Sequence, residues 1–415
     1  MYKKLMYILN IYLIINLMPI QRGMLKGILI FNKSIYYSIL VVAMFIAISS
    51  YYKKNNFKSF IINKNIYSYW LIIFIISICF SINKLKSIQF IFLSICLTIY
   101  IMYTIELHIN KKIDIIKNFI LSSSILLFIN NILILLNVSG TRYIDFRYGT
   151  TLNGIFTHRI HHGLVIILVG IISVYGLLNY KNKLFKMLCT INIINCSILL
   201  FNVKSQTANI SIIFLLSLYI LNKKMKVVSI TFIIPWMYII LGTLQYYINV
   251  FNEYFLKYGI DLTLTGRLDI WKGVLSIVKL KPVFGYGYGA FWTSNNMYRN
   301  YFDAYYYDGG HAHNGLLDMV LQVGLVGTIL LLIIIYTVAR RLSKLEKYKL
   351  PEFRLCYFFM MYIGIWSISE PINFGYEYIN IFNYILIFTF ILLNFRLNKI
   401  KEEKNELSTS GNVCV

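Results

Sequence analysis

The sequence predicts an all-α polytopic membrane protein of about twelve transmembrane helices, with a large external loop between spans nine and ten. Three observations lead there. Hydrophobic residues make up 58% of the 415 and charged residues only 13%, whereas a soluble domain carries roughly 45–50% apolar and about 25% charged residues. Apolar runs of about 17–25 residues, each long enough to cross roughly 30 Å of hydrocarbon, recur along the whole chain. Lys and Arg gather in short clusters between those runs, at Lys53/Lys54, Lys111/Lys112, Lys223/Lys224 and Arg340/Arg341. That spacing follows the cytoplasmic bias of basic residues in membrane proteins.

The runs place spans near 5–21, 35–51, 66–82, 88–106, 118–137, 162–178, 185–202, 207–222, 226–248, 313–338, 355–370 and 378–395. Met1 to Lys4 followed by an apolar run resembles a secretory signal, but no small-residue cleavage site follows, so the run reads as the first span. With the N-terminus inside, the basic clusters lie in the cytoplasm and so do both termini. The predicted organisation is then fourfold. Residues 1–248 hold spans one to nine, with a short external loop at 138–161; 249–312 form the large external loop; 313–395 hold spans ten to twelve; 396–415 are a disordered cytoplasmic tail.

A net charge of +24 invites a nucleic-acid partner. The cations are scattered between spans and form no basic domain, which excludes one and leaves membrane lipid as the surrounding partner. The six cysteines, Cys79, Cys96, Cys189, Cys196, Cys356 and Cys414, show no CxxC and no clustering with histidine. They read as small buried hydrophobes, neither a disulfide framework nor a metal site.

Polar and reactive residues collect in the two external loops, and long loops in compact proteins are usually functional. The larger one opens with a helix predicted over 265–281 and closed by Pro282, with Leu268, Trp271, Leu275 and Val278 as an apolar stripe. Such a helix would lie flat at the membrane surface, anchored by Trp271. The next stretch, Pro282-Val-Phe-Gly-Tyr-Gly-Tyr-Gly-Ala-Phe-Trp292, is either a turn with interfacial aromatics or a backbone that approaches a sugar closely, with rings stacked on it. At the end of the loop stand His311, His313 and Asn314, followed by Gly324 and Gly327. If span ten is helical from His313, that histidine and both glycines fall within roughly 40° of one face. Small residues there would let a neighbouring helix pack closely. An imidazole has a reference pKa of about 6.5, which suits a general base; the alternative is an interfacial histidine that only hydrogen bonds. The shorter loop adds Arg142, Asp145, Arg147, His158, Arg159, His161 and His162. His158 and His162 sit one turn apart and invite a zinc site, which the lack of an accompanying carboxylate or cysteine ligand disfavours.

The string His313-Asn314, then Gly324-x-x-Gly327, resembles the signature of the O-antigen ligase and polymerase superfamily. Gly266-Arg267-Leu-Asp-Ile-Trp271, Pro282 and Gly285-x-Gly287 resemble the stretch with which that family enters its large periplasmic loop. Asn153-Gly154-Ile-Phe-Thr157-His158 and Ser369-Glu370-Pro371 fit as well. The specific resemblance covers about residues 200–375.

The resemblance implies a metal-independent, cofactor-free glycosyltransferase of the inner (cytoplasmic) membrane with an external active site. Its donor would be a glycan on undecaprenyl diphosphate, and a chain-length regulator and a flippase of the same pathway would be expected partners. A lipid-diphosphate leaving group needs cations on its oxygens, and the planar guanidinium fork supplies them best. Arg267 is then the first candidate for that role and His313 for the base. Asn314, His311, Trp271, Arg147 and Arg159 are expected around the substrate. One departure stands out. Where the family has Ser-Arg or Thr-Arg before span eight, this chain reads Lys204-Ser205-Gln206. Gln206 carries no charge, and Lys204 offers only a point charge in its place. On this basis polymerisation of lipid-linked repeat units is favoured narrowly over ligation of a finished glycan to lipid A–core. A lipid-linked sugar transporter or flippase is the alternative of a different class. It would show paired halves or charges deep in the spans, and Glu106, Lys204 and Glu370 all lie near predicted span ends.

Overall fold

A computed structural model of the chain describes residues 2–21, 32–53, 63–145, 149–221, 267–292, 310–348, 350–368, 370 and 381–410. Within them lie the helices α1 (Tyr2–Leu17), α2 (Lys33–Lys53), α3 (Lys64–Phe80), α4 (Lys84–Ile109), α5 (Ile115–Leu135), α6 (Arg159–Asn179), α7 (Lys183–Val203) and α8 (Gln206–Leu221). Then come α9 (Arg267–Val278), α10 (Gly315–Leu345), α11 (Pro351–Ser367) and α12 (Ile381–Ser410). A hairpin of β1 (Arg142–Asp145) and β2 (Gly149–Leu152) occupies the loop between α5 and α6. Seven helices, α2, α4, α5, α6, α7, α10 and α12, are long and apolar enough to cross a membrane, and α1, α3 and α8 are shorter apolar helices. The protein is therefore a mostly helical, multi-pass membrane protein. The ninth span predicted at 226–248, and the loop residues 249–266 and 293–309, lie outside the described residues.

Local sequence sets where the helices begin. Asn83, Asp114, Asn182 and Asn314 each cap a helix by accepting a backbone N–H of its first turn. Each such cap stabilises its helix by about 1 kcal/mol. Inside the bundle, small residues and short polar side chains hold helices together where hydrophobicity gives no preference. Gly163 of α6 faces Ala208 of α8 so closely that an added Cβ would stand 2.8 Å from the alanine Cβ. Asn192 of α7 donates to Ser124 of α5 at 2.7 Å and to Ser173 of α6 at 3.2 Å.

Alternating loops meet at the two ends of the bundle. At one end, the chain after α1 is stitched to the loop before α6: Gln21 N–H donates to Ile155 O (2.7 Å) and Thr157 N–H to Pro19 O (3.2 Å). The turn between α3 and α4 meets the 282–292 stretch there, with Ile82 N–H on Tyr286 O at 3.0 Å. At the other end Arg396 pairs with Glu352, His108 lies 3.9 Å from both Glu352 and Asp114, and Tyr180 donates to Asp114 at 2.8 Å.

Three predictions about the elements need correction. Residues from Arg396 onward are not a disordered tail as far as Ser410, because α12 continues through them. Its Lys- and Glu-rich sequence favours helix, and its Arg396 is tied to Glu352 of α11. His313 does not begin span ten. It has φ +48°, outside the helical region, and Asn314 caps a helix that starts at Gly315. Nor does Gly324 line a helix–helix seam. It breaks α10, with φ +65° and ψ −172°.

That break is filled by backbone. Tyr286 and Gly287 N–H donate to Leu321 and Gln322 O (3.0 and 2.7 Å), while Leu325 and Val326 N–H donate to Pro282 and Val283 O (2.9 and 3.1 Å). Helix groups freed at the kink are thus satisfied by the Gly-aromatic stretch, as buried backbone requires. A Cβ on Gly324 would stand 2.2 Å from Val283 O, and one on Gly285 2.6 Å from Gly324 N. The two glycine motifs are two sides of one contact. Gly327, by contrast, does face another helix, with Ile73 of α3 at 2.9 Å from an added Cβ. Gly324→Ala should lower the thermal midpoint in detergent, since strain at such φ alone costs on the order of 1–3 kcal/mol and the backbone contact would open. An unchanged midpoint would mean the contact contributes nothing.

Candidate active site

Four segments far apart in sequence meet at the end of the bundle where α6, α9 and α10 begin and α11 ends. Arg267, the first residue of α9, points Nη2 at Glu370 Oε1, 3.3 Å away. His313 Nδ1 lies 3.5 Å from the same oxygen, and the His311 ring stands edge-on to it with centroids 4.1 Å apart. Glu370, just beyond α11, is 4% exposed. Burial would raise its carboxyl, but hydrogen bonding to His313 and the charges of His313, His311 and Arg267 outweigh that and hold it at about 2. Burial instead pushes His311 down to about 3, helped by the neighbouring His313, His161 and Arg267 against the pull of Glu370. A carboxylate, a guanidinium and an imidazole are therefore assembled around one buried oxygen. The His311 ring beside them is held neutral.

The histidine segment is held from two sides. Trp271 Nε1–H, one turn into α9, donates to Ala312 O at 2.8 Å. Asp318 of α10 accepts from Ala312 N–H at 3.2 Å and from Trp292 Nε1–H at 2.8 Å. The α9 helix is shorter than predicted, and its buried face is Ile270, Val274 and Ile277, while Leu275 is exposed. Packing against the protein and a committed indole replace the predicted membrane anchor. The 282–292 stretch is likewise no interfacial belt. Tyr286, Tyr288 and Phe291 are buried, and Tyr286 O–H donates to Ile277 O. These three rings serve packing, not sugar stacking, because the backbone contact to α10 draws them inward.

The remaining predicted residues divide. Asn314 spends its side-chain oxygen on Leu316 and Leu317 N–H, so it is a helix cap first. Arg159 donates to the carbonyl of Lys204 (2.7 Å), which ends α7 with φ +52°, and Gln206, exposed, opens α8 beside it. These three form a margin next to the α6 start. Arg147 lies outside the described residues. His162 is a core histidine: Nδ1–H donates to Leu152 O, and Nε2 faces Asn130 Nδ2 at 3.3 Å. Asn130 also accepts Ile155 N–H, and a Cβ on Gly154 would collide with its oxygen at 2.0 Å. That explains the Asn153-Gly154-Ile stretch. His158 caps α6, so the His158/His162 pair is engaged by the fold.

A different set, His311, His313 and Glu370, brings one ligand atom each within 4.8 Å of the others. A cation there would share its carboxylate with Arg267, and His311 Nδ1 already accepts His313 N–H at 3.2 Å.

Sequence reading missed two acids. Glu370 had a signal in Ser369-Glu370-Pro371, and Asp318 stood out only as a lone acid one turn after Asn314.

Fold and site together define a multi-pass membrane protein with a cation–carboxylate–imidazole cluster at one end of its bundle. Residues 191–332 match the family described as O-antigen ligase, a range that holds Arg267, His311, His313 and both glycine motifs. An exopolysaccharide production protein, ExoQ, from Rhizobium meliloti is 33% identical over 84 residues, 19% of each chain. A putative polysaccharide ligase from Rickettsia felis is 30% identical over 87 residues, 19% of this chain and 21% of its own. The chain thus matches about a fifth of the length of these curated relatives. Over the matched range the chain is thus similar to the O-antigen ligase family, in keeping with the resemblance read from its motifs.

Proposed function

We propose that this protein transfers a glycan from a lipid-diphosphate carrier, such as undecaprenyl diphosphate, to an acceptor hydroxyl at the outer face of the cytoplasmic membrane, as a polysaccharide ligase. The observation that carries the reading is the meeting of Arg267, Glu370 and His313 around one carboxylate oxygen. In this reaction His313 removes the acceptor proton as the new glycosidic C–O bond forms at the anomeric carbon. The old C–O bond to phosphate breaks with inversion, and its electron pair leaves on the diphosphate. Glu370 stabilises the imidazolium that results, as an orienting acid does for a catalytic histidine. Arg267 carries five donors, and with one engaged by Glu370 the others serve the leaving diphosphate. No metal is required by this scheme.

The polymerase reading, favoured by the sequence alone, keeps one argument: Gln206 stands where the family usually has an arginine, a departure that weakens the carry-over to ligases. The printed names of the family and of the Rickettsia relative weigh towards ligase. The test is a glycan gel from cells lacking the protein, complemented with wild type, His313→Ala or Arg267→Ala. Long chains that accumulate on the carrier lipid and never reach the acceptor identify a ligase. Single repeat units on the acceptor identify a polymerase. Full complementation by both variants would refute transfer at this cluster.

A further inference from the structure

We infer that Trp271, Asp318 and Trp292 form a positioning clamp that sets the geometry of the His313 base, an inference that rests on the transfer reading above. Ala312 joins the two histidines, and both of its backbone polar groups are taken. Its carbonyl accepts from Trp271 Nε1–H at 2.8 Å and its N–H donates to Asp318 Oδ1 at 3.2 Å. Ala312 itself is fully buried. With the two peptide planes that flank Ala312 each fixed by one of these bonds, the next residue, His313, is held at φ +48°. That conformation is costly for a side-chain-bearing residue and persists only where its surroundings dictate it. It also aims Nδ1 at Glu370, 3.5 Å away.

Asp318 is 1% exposed, and a carboxylate so buried needs committed donors. Its Oδ1 has two, Ala312 N–H and Trp292 Nε1–H, while the buried Oδ2 has none among the described residues. Trp292 ends the Gly-aromatic stretch that is bonded into the α10 break, and Gly289 N–H of that stretch donates to Gln322 Oε1 at 2.7 Å. The chain of contacts therefore runs from the helix break, through Trp292 and Asp318, to the peptide beside the base. From the other side α9 reaches the same residue through Trp271, and its first residue is Arg267. One clamp thus registers the arginine helix and the histidine segment against each other. Neither tryptophan nor Asp318 touches the reacting atoms in this scheme; they act through Ala312.

The test uses the full-length protein in detergent with a short-chain polyprenyl-diphosphate glycan as donor, and rates normalised to folded protein. Trp271→Phe keeps an aromatic ring and removes the N–H together with the bulk of the second indole ring. Asp318→Asn keeps the accepting Oδ1, and Asp318→Ala removes it. Trp271→Phe and Asp318→Ala should each lower kcat by about 100-fold, the effect of a misplacement near 1 Å, with donor KM close to wild type. Asp318→Asn should recover most of that loss. Normal kcat in Trp271→Phe, a loss seen only in KM, or an Asp318→Asn variant as poor as Asp318→Ala would overturn the clamp. In the same assay an active His313→Ala would remove the transfer reading and the clamp with it. An inactive His313→Ala beside a fully active Trp271→Phe would remove the clamp alone.

Discussion

His313→Ala should abolish measurable glycan transfer while leaving the protein folded and inserted. The imidazole is partly exposed, with a quarter of its side-chain surface accessible, and its nearest charged partner is Glu370. Losing it creates no large cavity in the apolar core. What disappears is the group placed to accept the acceptor proton. Loss of a positioned general base costs about 10²–10⁴ in rate, and nearby His311 is a poor substitute because its burial holds it at about 3. Initial rates with purified His313→Ala, set beside its thermal midpoint, would measure both halves. Activity within a few-fold of wild type would return the histidine to an ordinary loop role. The backbone at His313 favours glycine or asparagine over alanine. His313→Asn is therefore the companion variant, and it should be equally inactive with less conformational strain.

The second large effect is expected at Glu370, and it should reach both stability and rate. Removing one member of a buried ion pair leaves its partner uncompensated, at about 3–5 kcal/mol. Here Arg267, 15% exposed, would lose its carboxylate and so would His313. Glu370→Ala should therefore yield little folded protein. Glu370→Gln, which preserves shape and one acceptor oxygen, should fold, yet transfer at least about 100-fold more slowly because the imidazolium loses its counter-charge. The two variants separate the structural from the chemical contribution. The sign of the pH effect follows from the depressed carboxyl, about 2 in the folded protein against 4.5 ordinarily. Its stabilisation is complete above pH 4.5 and is lost as pH falls through 2. Thermal midpoints across that window should fall more steeply for wild type than for Glu370→Gln. Parallel curves would show that the carboxylate is not held by its neighbours.

Much of the fold was legible because bilayer thickness imposes a length on apolar runs, and that length survives in the sequence without any knowledge of packing. Eleven of the twelve predicted spans coincide with described helices. Helix starts were harder. Asn314 is a strong cap, yet the periodicity of the glycines suggested that helix had already begun at His313. The same periodicity misread Gly324, because a glycine that admits a neighbouring helix and one that breaks its own look alike in one dimension. The candidate site was legible in part for a similar reason. Arg267 and His313 stand in recognisable strings, whereas the carboxylate they share is more than a hundred residues from one of them, with |i−j| of 103. No local pattern encodes that meeting. Asp318 was invisible because a single acid at the mouth of an apolar helix resembles a solvated end. Only the indole of Trp292 and the N–H of Ala312 reveal its commitment.

The interruption at Gly324 also bears on how this protein tolerates its solvent. Membrane helices answer a change in bilayer thickness by tilting or bending, at a fraction of a kcal/mol per Å. An unbroken α10 would carry that tilt straight to the loop preceding it. Before the interruption Leu321 and Gln322 accept from the 282–292 stretch, and just past it Leu325 and Val326 donate to the same stretch; from there on Leu325, Ile329, Leu332, Ile333 and Tyr336 carry exposed apolar side chains. The two segments are thus joined by that hydrogen-bonded cross-tie as well as by the glycine itself. A tilt imposed by thinner or thicker lipid would meet the 282–292 stretch before it reached the histidine segment. The broken helix is a braced joint, in which a second piece of the chain carries part of the load between the apolar segment and the cluster.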